Sequence, residues 1–155
     1  MVQFLYFELC KADGSSRYIK FFERNGEYYL ETASGFQGMY IVFNDNVDME
    51  SNTKMYRADK ASAKLISKLV ESLKVYSWPK SIPKDYTPSD RIIGCDEETW
   101  SLDYKELEKK NTRHIHGRGE FPKDNPYKLF YEIFIRTIPD IETKEWFLED
   151  YEDGE

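Results

Sequence analysis

Apolar and polar residues alternate in short runs over the first third of the chain. In residues 2–10, Leu5, Phe7 and Leu9 fall on one side of an extended chain, and Phe4 and Tyr6 fall on the other. Side chains alternate across a strand, so apolar residues on both sides predict a central position in a sheet. Ala12-Asp13-Gly14-Ser15 predicts a turn and Arg17 to Glu23 a second strand. Asn25-Gly26 then separates two aromatic-rich runs, Phe21-Phe22-Glu23-Arg24 and Glu27-Tyr28-Tyr29. Both residues of a two-residue hairpin turn need positive φ, which Asn and Gly tolerate best; a hairpin with a third strand over Glu27 to Thr32 is predicted. Met39 to Phe43 reads as a fourth strand and Asn44 to Tyr56 as a polar, irregular stretch.

The period then changes. Leu65, Ile66, Leu69, Val70 and Leu73 recur at helical spacing behind Asp59, a good N-cap, and predict a helix from Lys60 to about Lys74. Pro79, Pro83 and Pro88 mark residues 79–90 as a surface connector. Beyond it, Arg91 to Cys95 reads as a short strand. Trp100, Leu102 and Tyr104 alternate with Ser101 and Asp103 in a longer strand over Thr99 to Lys105. Glu106 to Asn111 is a charged turn, and Thr112 to Arg118 pairs back. Asp124 or Asn125 caps a second helix with Pro126 in its first turn. Tyr127, Phe130, Tyr131, Phe134 and Ile138 lie on its buried face, and Pro139 ends it. Glu142 to Leu148 forms a short third helix anchored by Trp146 and Phe147, and the last seven residues fray. The expected class is α+β, an antiparallel sheet of about six to seven strands with two main helices packed on one face. One domain is expected over 1–148, with an acidic C-terminal tail over 149–155.

The second half of the chain has a further pattern. Leu69-Val70-Glu71-Ser72-Leu73-Lys74-Val75-Tyr76-Ser77-Trp78 carries a helix end into a tryptophan. Asp96-Glu97-Glu98-Thr99-Trp100-Ser101-Leu102-Asp103-Tyr104 and Gly117-Arg118-Gly119-Glu120-Phe121-Pro122-Lys123-Asp124-Asn125 follow. This succession of helix, Trp, Trp-x-Leu-x-Tyr strand, Gly-x-Gly-x-x-Pro-x-x-Asn and helix resembles a group of small uncharacterised bacterial domains, over the C-terminal half to two thirds of the chain. Those domains often have Asp-Gly before the aromatic strand, where this chain has Asp96-Glu97. The resemblance implies an α+β fold and a bacterial or phage origin, and it carries no activity and no site. Read without it, Gly117 and Gly119 permit a bulge or a close backbone approach at a strand end.

Composition sharpens this picture. Twelve Tyr, ten Phe and three Trp let an average apolar fraction build a firm core, because each aromatic ring buries a large area. No stretch approaches the roughly 20 apolar residues that cross a bilayer, and the N-terminus lacks a basic region and a cleavage site. With only Cys10 and Cys95, no disulfide framework is expected, and the chain is placed in the cytoplasm with both thiols reduced. The formal net charge is −7, and residues 140–155 hold eight acids against Lys144, so the rest of the chain is neutral.

Candidate chemistry is sparse. His114 and His116, two apart on a strand, put both rings on one face, as a metal site needs, with Asp96, Glu98 or Asp103 as possible third ligands. Arg113 and Arg118 flank the pair and disfavour a divalent ion, so no metal and no cofactor is expected. Asn44-Asp45-Asn46-Val47-Asp48 starts like a calcium loop but has Met49 and Met55 where Gly and Glu are required. Acidic neighbours dull the Cys95 thiol. Gly35-Phe36-Gln37-Gly38 lacks the Lys-Ser/Thr of a phosphate loop. Residues 105–128 carry seven cationic side chains against four acids, a phosphate-binding hairpin or an ordinary mixed-charge one, to which the acidic tail could also fold back. The leading expectation is a non-catalytic protein-binding module, an inhibitor or immunity-type protein of a bacterial, phage or mobile-element setting. It docks its acidic end on a basic partner such as a nuclease, through Trp146, Phe147, Glu149, Asp150, Tyr151, Glu152 and Asp153. The alternatives are a small metal-dependent enzyme using His114 and His116, and nucleic-acid binding through the 105–128 hairpin. Nucleic acid is the less expected partner, and no membrane is.

Overall fold

The structure, a computed structural model, describes residues 1–36, 53–83 and 98–152. The strands are β1 (Val2–Cys10), β2 (Ser15–Arg24), β3 (Glu27–Phe36), β4 (Lys54–Ala58), β5 (Ser81–Ile82), β6 (Thr99–Glu106) and β7 (Arg113–Arg118). The helices are α1 (Lys60–Ser72), α2 (Tyr127–Arg136) and α3 (Ile141–Glu152), with a 3-10 turn over Val75–Ser77. The fold is α+β, and the seven strands form one sheet in the order β4-β3-β2-β1-β6-β7-β5. Every pairing is antiparallel except the short β5–β7 pair.

The predicted hairpin forms as read, with Asn25 at φ 54 and Gly26 at φ 83 in the turn. The central place of β1 also holds, with β2 and β6 on its two sides. Its register sets Phe7 opposite Ile19 and Leu102, and Leu5 opposite Phe21 and Tyr104. These residues belong to one hydrophobic cluster with Ile66 and Val70 of α1, Phe130 and Phe134 of α2, and Phe147 and Leu148 of α3.

Several expectations change. The strand predicted at 39–43 and the one at 91–95 lie outside the described residues, as do the 44–48 loop and Cys95. A strand forms at Lys54–Ala58, beginning inside the stretch read as irregular and running two residues beyond it. Its side chains are exposed or half-buried, so little periodicity marks it, and pairing with the edge of β3 orders it. On α1, Leu65 of the predicted apolar stripe is 47% exposed while Ala63 is buried. Neither Asp124 nor Asn125 caps α2 by its side chain; the Asp124 and Pro126 carbonyls accept from the N–H groups of Lys128 and Phe130 at 3.0 and 3.1 Å. The third helix is three turns long and does not fray after Leu148, so the boundary drawn at 149 falls inside it. Its last turn is held because the Tyr151 ring stacks on Tyr131 at 4.1 Å and its hydroxyl donates to the Pro122 carbonyl at 2.7 Å.

Asp140 starts that helix. Its carboxylate accepts from the Thr143 N–H at 3.3 Å and from the Thr143 hydroxyl, and it pairs with Lys54 of the edge strand at 3.1 Å. The Thr143 hydroxyl and then Lys54 hold its pKa below the ordinary aspartate value. A lowered folded pKa means that this contribution is fully present above the unfolded value of about 3.9 and is lost as pH falls through the folded one. The urea midpoint of the protein is therefore expected to exceed that of Asp140→Asn at pH 6, with the gap closing below about pH 4. A gap that does not change between pH 6 and pH 2.5 would refute the role of the ionised carboxylate.

Candidate anion-binding cleft

The sheet register separates two ends of the molecule. Val2 faces Glu106 and Tyr104 faces Arg113 at one end, while Cys10 faces Thr99 and Thr99 faces Arg118 at the other. The two ends lie roughly 27 Å apart, at about 3.4 Å per residue of β1.

At the Val2 end the chain leaves α1 through Lys74, in the left-handed region at φ 53, and enters the 3-10 turn. Val75 and Trp78 are buried anchors on either side of that turn. The Trp78 indole packs on Tyr127 and Phe130 at 4.6 and 5.6 Å, and its N–H donates to the Leu73 carbonyl at 3.1 Å. With both anchors facing inward, Tyr76 between them is turned outward and is 57% exposed.

Tyr76 and Lys80 form one side of a cleft of about 950 Å³. The end of β6 and the charged turn after it form the other, and His114 and His116 of β7 complete the lining. Among the described residues its cations are Lys80, Lys105, Lys109, Lys110 and Arg113, against the single carboxylate of Glu106. Lys109 lies 3.8 Å from Glu106, Lys105 donates to the Gln3 side-chain oxygen, and Arg113 donates to the Trp78 carbonyl. The Arg113 Nε is buried and has no partner among the described residues. Lys80 and Lys110 are exposed and their ammonium groups have no partner among the described residues. Tyr104 lies at the inner edge, where burial and then Glu106 raise its hydroxyl pKa while Arg113 pulls it down.

His114 and His116 share one face of β7, as their spacing predicts. The His114 Nδ1 lies 2.9 Å from an Asp103 carboxylate oxygen. Among the described residues no group of three or more His, Cys, Asp or Glu side chains is placed to hold a metal ion; Asp96 lies outside them. The β7 backbone adds a further feature. The His116 N–H donates to the Lys80 carbonyl at 2.9 Å, away from β6. Main-chain groups two residues apart point the same way, so those of His114 also face the cleft side. There β5 pairs only with His116 and Gly117.

Of the residues predicted to contact a partner, Trp146 and Glu149 sit at the other end, against Lys11. Phe147 is 1% exposed and Tyr151 5%, so both belong to the core and not to an exposed docking surface. Trp146 is half-buried, with Lys11 at 4.3 Å and Arg17 at 5.3 Å from its ring centre. Glu149 is exposed and lies 3.7 Å from Lys11. Asp150 and Glu152 belong to α3, and Asp153 lies outside the described residues. The first turns of the acidic helix thus pack at the Cys10 end, against Lys11 and Arg17, and its last turn meets the end of the 105–128 stretch, where Tyr151 donates to the Pro122 carbonyl and Lys123 lies 5.5 Å from the Tyr151 ring centre. The sequence reading missed Tyr76 and Lys80, whose only signal is an aromatic residue between a helix end and a proline connector.

Fold and cleft together define an α+β domain with a single mixed sheet and a cationic cleft at one end of it. No protein-family model matches this chain, and no curated protein matches it. Among the described residues no helix is long and apolar enough to cross a membrane.

Proposed function

We propose that this protein is a non-catalytic binding module that holds a polyanionic ligand in the cleft at the Val2 end of its sheet. The observation that carries this reading is the concentration of five cations and one carboxylate in one concave surface of about 950 Å³. That is the upper end of pocket sizes, about 300–1,000 Å³, and has room for more than one anionic group. The overall charge of −7 does not oppose such binding. The exposed acids Glu142 and Glu149 of α3 lie against Arg17 and Lys11, outside the cleft lining, and salt screens exposed charges beyond about 8 Å at physiological ionic strength.

The test is calorimetry with inorganic polyphosphate. The double variant Lys80→Glu/Lys110→Glu changes two exposed side chains and removes the excess positive charge of the lining. Binding is expected to weaken by more than about tenfold, with the melting temperature nearly unchanged. Binding that survives the double reversal would overturn the reading.

A second reading keeps the acidic end as the docking element for a basic protein partner, an inhibitor-type role. It is favoured by the outward acids of α3, Glu142 and Glu149, whose side chains are 75% and 68% exposed. Without Phe147 and Tyr151 it rests on Trp146 and charge. Its test is capture of a basic protein by the whole chain, lost in Glu142→Lys/Glu149→Lys.

A further inference from the structure

We infer that the polyanion of this cleft is a single-stranded nucleic acid, with Tyr76 as the platform on which a base stacks. This rests on the anion-binding reading above and deepens it. A chain of phosphates alone uses cations only. Here the cationic lining also carries a tyrosine ring that is 57% exposed, held outward by the buried Val75 and Trp78. Every base has a π-face, and single-strand binders combine a positive groove for the backbone with aromatic rings for the bases.

Two other polymers fit less well. An acidic peptide would gain affinity by adding a strand to the β7 edge, through a ladder of main-chain hydrogen bonds. β5 already covers His116 and Gly117, so among the described residues only the His114 position of that edge is left between β5 and the start of β7. One residue does not make a ladder. A duplex is read by a helix or ribbon that projects into a groove about 12 Å wide. The cations here line a concavity, and the exposed ring stands on a 3-10 turn. Duplex phosphates would reach only its rim, and duplex bases would be stacked away from Tyr76.

The salt dependence follows from the charge. Among the described residues, five cations less the Glu106 carboxylate leave an excess of four in the lining. Each neutralised phosphate of a single strand contributes about −0.7 to the slope of log K against log salt, so four give roughly −3 and an approximately fifty-fold loss of affinity from 50 to 200 mM salt.

The experiment is fluorescence anisotropy of the full chain with a labelled single-stranded twelve-nucleotide oligomer. Arms with the matching duplex, inorganic polyphosphate and polyglutamate compete for the same site. The single strand is expected to bind tightest. Tyr76→Ala is expected to weaken oligomer binding by about five- to thirty-fold and Tyr76→Phe to retain it, with polyphosphate binding unchanged in both variants. Equal binding of oligomer and polyphosphate, neither altered by Tyr76→Ala, would overturn the nucleic-acid inference and leave the anion-binding cleft standing. Tighter binding of the duplex or of polyglutamate would overturn it too. If no polyanion binds, the reading of the cleft itself fails.

Discussion

Phe7→Ala is expected to cost about 3–5 kcal/mol of folding stability, the range for a large aromatic removed from a core. Phe7 has no exposed surface and stands on the central strand. Its ring meets Phe121 and Tyr131 edge-on at 5.4 and 5.8 Å, and Phe147 and Trp100 at 6.1 and 6.5 Å. The side chain therefore joins the sheet to α2, α3 and the segment after β7. The hole left by alanine closes poorly, because hydrogen-bonded strands on both sides fix the β1 backbone. At this chain length the melting temperature falls by roughly 10 °C. Leu65→Ala, on the exposed side of α1, is the comparison and is expected to stay within about 0.5 kcal/mol of the parent. Urea unfolding of both variants checks this; a loss below about 1 kcal/mol for Phe7→Ala would show that the four rings do not meet there.

Gly117→Ala is the second large effect, and it works by crowding. A Cβ at Gly117 would lie 1.8, 2.1 and 2.2 Å from three atoms of the Trp100 indole, directly opposite on β6. The indole cannot yield, because it is buried and packs on Phe121 at 4.7 Å. Overpacking of this kind costs about 1–3 kcal/mol and occasionally more. Gly119→Ala separates crowding from backbone strain. At φ +88 it meets nothing within 4 Å, so only the conformational cost of about 1–2 kcal/mol applies. The pair Gly117→Ala/Trp100→Phe is expected to destabilise less than the two single changes summed, since the smaller ring makes room. Strict additivity would rule out the clash.

How much of this was legible beforehand varies with the kind of signal. The close approach at Gly117 was readable, because a glycine at the end of an alternating strand has few other uses. The Asn25-Gly26 hairpin was readable because its turn demands residues that accept positive φ. The end of α3 was misread. Glu149 to Glu155 is so acidic that fraying looked natural, yet one tyrosine, Tyr151, with a ring partner and a carbonyl, holds the last turn. The signal for the start of that helix was present in Asp140 with Thr143 three residues on. The candidate site was legible only in part. The basic content of 105–128 is in the composition, but its neighbours Tyr76 and Lys80 come from some thirty residues earlier.

By itself the sequence determined the local periods, the tight turn, the central place of β1, the α+β class and the segregation of acid at one end. These depend on neighbours in the chain, where alternation, helical spacing and φ preference act directly. The tertiary structure decided which edge β4 and β5 joined, that Phe147 and Tyr151 face the core, and that the cationic turn and Tyr76 share one cleft. Those outcomes depend on strand order and register, which are set by how the buried faces fit together and leave no period in the sequence to be read.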